Sequence, residues 1–188
     1  VLESMRQPLE DRIVNISRAK GTATFPSQFI LVAAMNPCPC GQWGNPQADC
    51  LCTPERISRY LAKLSAPLLD RIDMQITIQA LPQEELIKPH TTESGQSIKI
   101  RLRKIQHQRQ RCINAQLSTK DCEAVCSLEQ EEVAFLSQAM SRLKLSARAY
   151  HRLLKVARTI ADMNEAEKVT LPALQQALSF KQTLQGPK

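Results

Sequence analysis

The sequence predicts an α/β segment followed by an all-α helical bundle, and three observations carry that reading. Phe29-Ile30-Leu31-Val32-Ala33-Ala34 runs without polar alternation, the pattern of a strand buried on both faces of a mostly parallel sheet. Met74, Ile76 and Ile78 alternate with Gln75, Thr77 and Gln79, which reads as a second strand, half exposed and close to a sheet edge. From about residue 95 onward the strand signals stop and apolar residues recur at helical spacing.

The elements follow in order. Leu2, Met5 and Leu9 share one helical face, so the opening reads as the end of a helix, and the missing initiator Met fits a fragment. Ile13 to Ser17 and Thr22 to Phe25 read as the strands of a hairpin turned by Ala19-Lys20-Gly21, with Arg18 and Lys20 at its tip. Thr53-Pro54-Glu55 combines an N-cap, a proline at the first helical position and an acid in the first turn, ahead of Ile57, Tyr60, Leu61 and Leu64 on one face. Pro82 to Gly95, with two prolines and a Thr-Thr-Glu-Ser-Gly run, has the composition of a linker. Beyond it, Ile98, Leu102, Ile105 and Cys112 mark a long basic helix, and Ser127 with Gln130 spells a capping box before Val133, Leu136 and Met140. Ala149, Leu153, Val156, Ile160 and Met163 form a helical stripe, and Thr170 caps a last helix burying Leu174, Ala177 and Leu178. The domains are placed at 1–88 and 97–188, joined by 89–96.

The chain of 188 residues is 43% hydrophobic and 23% charged, as in globular proteins, and its longest apolar run, Phe29 to Met35, is too short to span a bilayer. The N-terminus has neither the basic nor the apolar region of a secretory signal. Net charge is +7, placed unevenly: residues 1–94 carry 9 basic and 10 acidic side chains, residues 95–188 carry 16 and 8. The asymmetry favours a polyanionic partner for the second half, nucleic acid or a nucleotide's phosphates, against a basic face that is merely solvated. No Gly-x-x-x-x-Gly-Lys stretch exists to cradle a triphosphate, so the chain alone is expected to bind ATP poorly or not at all.

Four cysteines fall in two close pairs, Cys38-x-Cys40 and Cys50-x-Cys52. Four thiolates can wrap a tetrahedral Zn²⁺, and Gly41, Gly44, Asn45 and Pro46 between the pairs allow a tight knuckle. Cys-x-Cys is less diagnostic than Cys-x-x-Cys, and reduced thiols or disulfides stay open beside a structural zinc. Four protein ligands leave no open coordination position, so such a metal would brace a loop without catalysing. Cys112, Cys122 and Cys126 read as small hydrophobes.

Three polar residues stand out by position. Asn36 follows a buried strand, where ligands bind in open α/β sheets, although an asparagine before proline also suits a plain turn. Arg71, between Asp70 and Asp73, can stabilise charge on a transferring phosphoryl group or form a surface salt bridge. Arg148 lies in the first turn of a helix capped by Ser146, where the macrodipole disfavours a cation by a few tenths of a kcal/mol. A helix N-terminus with an arginine makes an anion site, and Arg152 and Lys155 continue the stripe, facing phosphate or solvent.

The stretches LESMRQPLEDRIVNISRAKGTATFPSQFILVAAMNPCPCG, LSAPLLDRIDMQI and LSARAYHRLLKVARTIADM resemble the magnesium-chelatase-like AAA+ ATPases of the ComM (YifB) type, from Leu2 to about Phe180. The resemblance implies the C-terminal, sensor part of an AAA+ P-loop ATPase core followed by a helical lid, with the Walker A and B motifs ahead of Val1. It implies that Asn36 is the sensor-1 residue positioning the attacking water. Arg71, in a segment similar to the Pro-x-Leu-Leu-x-Arg-Phe-Asp of related helicases, becomes the arginine finger offered to the neighbouring subunit, and Arg148 the sensor-2 arginine. ATP and Mg²⁺ are then the cofactors of the full-length protein. The hairpin is similar to the pre-sensor-1 insertion of hexameric helicases, on which Lys20 with Arg18 would contact DNA phosphates without reading sequence. Related chelatase subunits and replicative helicases do not share the four-cysteine insert, so zinc rests on ligand arithmetic and the resemblance to the ComM group.

The implied function is a cytoplasmic, ring-forming ATPase, hexameric by resemblance, that drives branch migration or unwinding of DNA during natural transformation and recombination. This fragment alone would be inactive. Two rivals are a chelatase-type motor remodelling a protein partner for metal insertion into a porphyrin, and a zinc-braced interaction module without motor function. Nothing in these residues binds a tetrapyrrole.

Overall fold

A computed structural model describes residues 2–82, 87, 93–109 and 113–181. These fall into two compact units, one of residues 2–72 and 77–82, the other of residues 73–76 and 93–181.

In the first unit a 3₁₀ turn at Leu2–Met5 leads into helix α1, Arg6–Asp11, which stops where Arg12 turns left-handed at φ 58°. Strands β1, Ile13–Arg18, and β2, Gly21–Pro26, then pair antiparallel from Ile13 opposite Pro26 to Arg18 opposite Gly21. Polar pairs lace the ribbon: Thr24 donates to Asn15 at 2.7 Å, and the Ser17 and Thr22 hydroxyls lie 3.1 Å apart. Helix α2, Pro54–Leu61, starts as the cap residues require, with Thr53 accepting from the Arg56 N–H at 3.3 Å. Helix α3, Ala66–Leu69, is capped by Ser65, which also accepts from the Arg6 guanidinium at 3.0 Å and so ties α3 to α1.

Two strand expectations are corrected here. Residues 29–34 are neither strand nor buried: Ile30 is 90% and Val32 88% exposed. Residues 74–78 form no ladder either, and the Gln75 N–H bonds the Phe180 carbonyl at 2.8 Å instead. A strand holds its place only by pairing with a neighbour, and β1 with β2 is the one ladder among the described residues.

The second unit is helical. Helix α4, Gly95–Arg109, begins inside the expected linker 89–96, and Cys112 lies outside the described residues. A 3₁₀ turn at Asn114–Gln116 precedes α5, Thr119–Cys126, then α6, Gln130–Leu143, α7, Ala147–Met163, and α8, Leu171–Ser179. The core is built on α7 and α8: Leu153, Leu154, Ala157, Ala161, Leu174 and Ala177 are almost wholly buried, with Cys122, Cys126 and Leu136 packed against them. Of the expected stripes, Ala149, Leu153, Ile160, Leu174 and Ala177 are buried, Leu178 is half-buried, and Met163 is 44% exposed. The capping box also stands two residues later than expected. Ser127 closes α5 in a left-handed conformation, leaving Glu129 as the cap of α6, and the Glu132 carboxylate accepts from the Glu129 N–H at 3.2 Å.

One charged side chain lies inside this core. Arg158 is 2% exposed and donates to Asp162 at 3.1 Å, to the Glu167 carbonyl at 2.7 Å and to the Ala166 carbonyl. Asp162 accepts in turn from the Asn114 amide at 2.8 Å, and that amide also reaches Thr159 at 2.9 Å. The network joins the end of α7, the turn into α8 and the chain before α5. Removing the guanidinium takes the charged partner from a nearly buried carboxylate and the donor from two turn carbonyls, so Arg158→Ala is expected to destabilise this unit by about 3–5 kcal/mol. Urea unfolding followed by far-UV circular dichroism measures it.

Candidate functional site

Residues 27–53 hold neither helix nor strand, and within 36–53 only Cys38 is buried. The chain leaves Asn36-Pro37, turns so that the Gly41 N–H bonds the Cys38 carbonyl at 3.0 Å, and returns through Asn45 to the second cysteine pair. Gly41 at φ +81° takes a conformation that side chains resist, and a Cβ there would sit 3.8 Å from the Asn36 carboxamide. The knuckle and Asn36 are therefore packed together, with Asn36 exposed on its outer side.

The four sulfurs of Cys38, Cys40, Cys50 and Cys52 all lie within 4.8 Å of one another. Sγ of Cys38 is 3.3 Å from Cys40 and 3.7 Å from Cys50, and Cys40 is 3.6 Å from Cys50. All three separations far exceed the roughly 2.05 Å of a disulfide. Zn–S bonds of about 2.3 Å give a tetrahedron with edges of about 3.8 Å, so the donor set fits a zinc ion in both number and spacing. Backbone amides face the sulfurs as ligating thiolates require: the Trp43 N–H donates to Cys38 at 3.4 Å.

Ionisation splits the cluster. The Gln42 amide, with Cys38, brings Cys40 down to about 6. Burial pushes Cys38 up, but the Trp43 amide and its neighbours outweigh this and leave it below the usual thiol range. The Cys52 amide draws Cys50 down, yet burial and the Cys40 and Cys38 sulfurs push it up to about 12, and burial likewise raises Cys52. Four sulfurs this close reach the fully ionised state only with a cation among them.

Arg71 follows α3, nearly buried at 11% side-chain exposure. It donates to the Pro67 carbonyl at 2.6 Å and forms an ion pair with Glu10 on α1. Glu10 carried no signal in the sequence, because the pairing spans 61 residues. Arg148 is exposed at the second position of α7, beside Ser146, whose hydroxyl accepts from the Ala149 N–H at 3.1 Å. The rest of its stripe is engaged within the unit: Arg152 bonds Asp73 at 2.6 Å and Lys155 the Ala115 carbonyl at 3.3 Å. Arg18 and Lys20 are exposed at the hairpin tip. The structure thus gathers the cysteines and Asn36 into one locus, places Arg71 elsewhere in the same unit, and places Arg148 in the helical unit.

Residues 1–86 match the family model described as magnesium chelatase, subunit ChlI, and residues 91–181 match the model of its C-terminal region; the chain belongs to this family. Its relatives include Competence protein ComM of Haemophilus influenzae, 41% identical over 187 residues, and YifB of Escherichia coli, 40% identical over 185. A Mycobacterium tuberculosis protein is 35% identical over 189 residues. These alignments cover 96–97% of this chain but 36–37% of each relative, so the chain spans about a third of their length.

Among the described residues no helix is long and apolar enough to cross a membrane. For the Arg71 site, Glu10→Ala should cost about 1–3 kcal/mol, because it leaves a nearly buried guanidinium without its carboxylate. A lowered urea midpoint at unchanged slope, with a smaller fall for Glu10→Gln, is the expected result.

Proposed function

We propose that this chain is the sensor and lid portion of a ring-forming AAA+ ATPase that acts on DNA, with ATP and Mg²⁺ as cofactors. The observation that supports the reading best is the match to a competence protein along 96% of the chain, through the segments that hold Asn36, Arg71 and Arg148. In this reading Asn36 orients the attacking water on its own subunit's ATP, and Arg148, at the N-terminal end of α7, meets the phosphates. Arg71 serves the neighbouring subunit. Its anchorage by Glu10 and Pro67 supports this role, because a pre-positioned guanidinium needs little reorganisation at the moment of phosphoryl transfer. Arg18 and Lys20 contact DNA phosphates from an exposed ribbon tip. The lid is the helical unit, residues 97–188 in the proposed division, and the ring is proposed to be a cytoplasmic hexamer.

Subunit mixing tests the assignment. In the full-length protein, Asn36→Ala and Arg71→Ala should each lower kcat by about 100-fold or more. Mixed rings of the two variants should regain turnover, because an Arg71→Ala subunit beside an Asn36→Ala subunit completes one site. If Arg71 acted within its own subunit, mixing would restore nothing. The 188-residue chain alone is expected to hydrolyse no ATP.

DNA should stimulate the full-length ATPase, and Lys20→Ala should abolish that stimulation while leaving turnover without DNA intact. Stimulation by a protein partner alone, indifferent to DNA, would instead identify a chelatase-type motor.

A further inference from the structure

The geometry points to a Zn²⁺ ion held by Cys38, Cys40, Cys50 and Cys52 that acts as the core of the 36–53 loop and thereby fixes the Asn36 carboxamide. Metal binding stands on the donor set alone; the consequence for turnover rests on the reading of Asn36 given above. Besides local turn hydrogen bonds at Cys38–Gly41 and Gln42–Asn45, little else organises the loop. No helix or strand runs through residues 27–53, and the segment before it is exposed, with Ile30 at 90% and Val32 at 88%. A connection this long without secondary structure needs its own source of order, and in residues 36–53 the one buried side chain is a sulfur of the cluster. Where apolar burial is absent, a structural metal supplies the folding free energy.

The path from metal to amide is short. Only Pro37, with its fixed φ, separates Cys38 from Asn36. The Cys38–Gly41 turn folds beneath the carboxamide, at the 3.8 Å approach of the Gly41 position. Loss of the ion would release the Cys38 sulfur from its place beside the Cys40 and Cys50 sulfurs, and with it the turn on which Asn36 lies. Asn36 is then a water-positioning residue whose own position depends on a metal outside the reacting centre.

The experiment measures metal, loop order and turnover separately in the full-length protein. Anaerobic purification followed by elemental analysis should give about one Zn²⁺ per chain, and Co²⁺ replacement should give the visible d–d bands of a tetrahedral thiolate site. Cys38→Ser with Cys50→Ser should lose both signals while the helical unit, which holds none of the four cysteines, keeps its circular dichroism. Removing Zn²⁺ with a chelator from the wild type should open residues 41–49 to protease and lower kcat about as far as Asn36→Ala does; adding Zn²⁺ should reverse both effects. In the Asn36→Ala background, chelation should lower kcat no further. A wild type that takes up neither Zn²⁺ nor Co²⁺, or a double variant that keeps its metal, overturns the site. Metal removal that leaves both proteolysis and kcat unchanged overturns the bracing role. Should Asn36→Ala leave turnover intact while chelation still opens the loop, the sensor role of Asn36 falls and the zinc knuckle stands.

Discussion

Arg158 sets the terms for the helical unit. A guanidinium at 2% exposure is stable only if nearly every donor is met, and here Asp162 and the carbonyls of Ala166 and Glu167 meet them. Those partners fix the angle at which the chain leaves α7 and enters α8, the two helices that bury most of the core. The same helix carries Arg148 and Arg152 at its other end. A polar pin near one end and an apolar stripe along the middle hold α7 rigid, so its N-terminal residues are presented from a firm base.

The two units reach order by different means. The helical unit closes on aliphatic side chains, with Cys122 and Cys126 serving as two of them, as small hydrophobes do. The other unit buries little beyond Cys38, Ile57 and Leu68, and relies on capped short helices, a ribbon and a sulfur cluster. Its exposed Ile30, Val32 and Ile78 have the composition of sheet core without the sheet. Relatives are nearly three times as long as this chain, which leaves room in them for the strands that such residues pair with.

Local chemistry was legible in the sequence. Thr53 and Ser146 cap helices where their spacing says they should, Thr170 stands at the start of α8 without a side-chain cap bond, and the hairpin falls within a residue of its expected bounds. The cysteine pairs read as a metal-ligand set, and their sulfurs do converge. What failed depended on distant partners. Residues 29–34 are a strand only if other strands flank them, and the capping box moved because Ser127 was already engaged in closing α5. Arg158 carried no signal in the sequence, since its partners are a side chain one turn on and two carbonyls in a turn that periodicity does not reveal. Glu10 was hidden for the same reason, 61 residues from the arginine it holds. Asn36 and Arg148 stand out in the sequence by position, and the structure adds what surrounds each of them.

The hairpin behaves mechanically as a cantilever. Six paired residues per strand give it a reach of about 20 Å, and almost none of its surface is buried, so no packing damps its deflection along that length. Its root is narrow: Arg12 in the left-handed region, with its carbonyl bonded by the Ser27 N–H at 2.7 Å. A load applied at Lys20 travels along the cross-strand bonds in series and concentrates as torque at that single pivot, beside α1 and the Glu10 anchor of Arg71. Only Asp11 and Arg12 separate the ribbon from Glu10, so its root adjoins in the chain the carboxylate that holds Arg71.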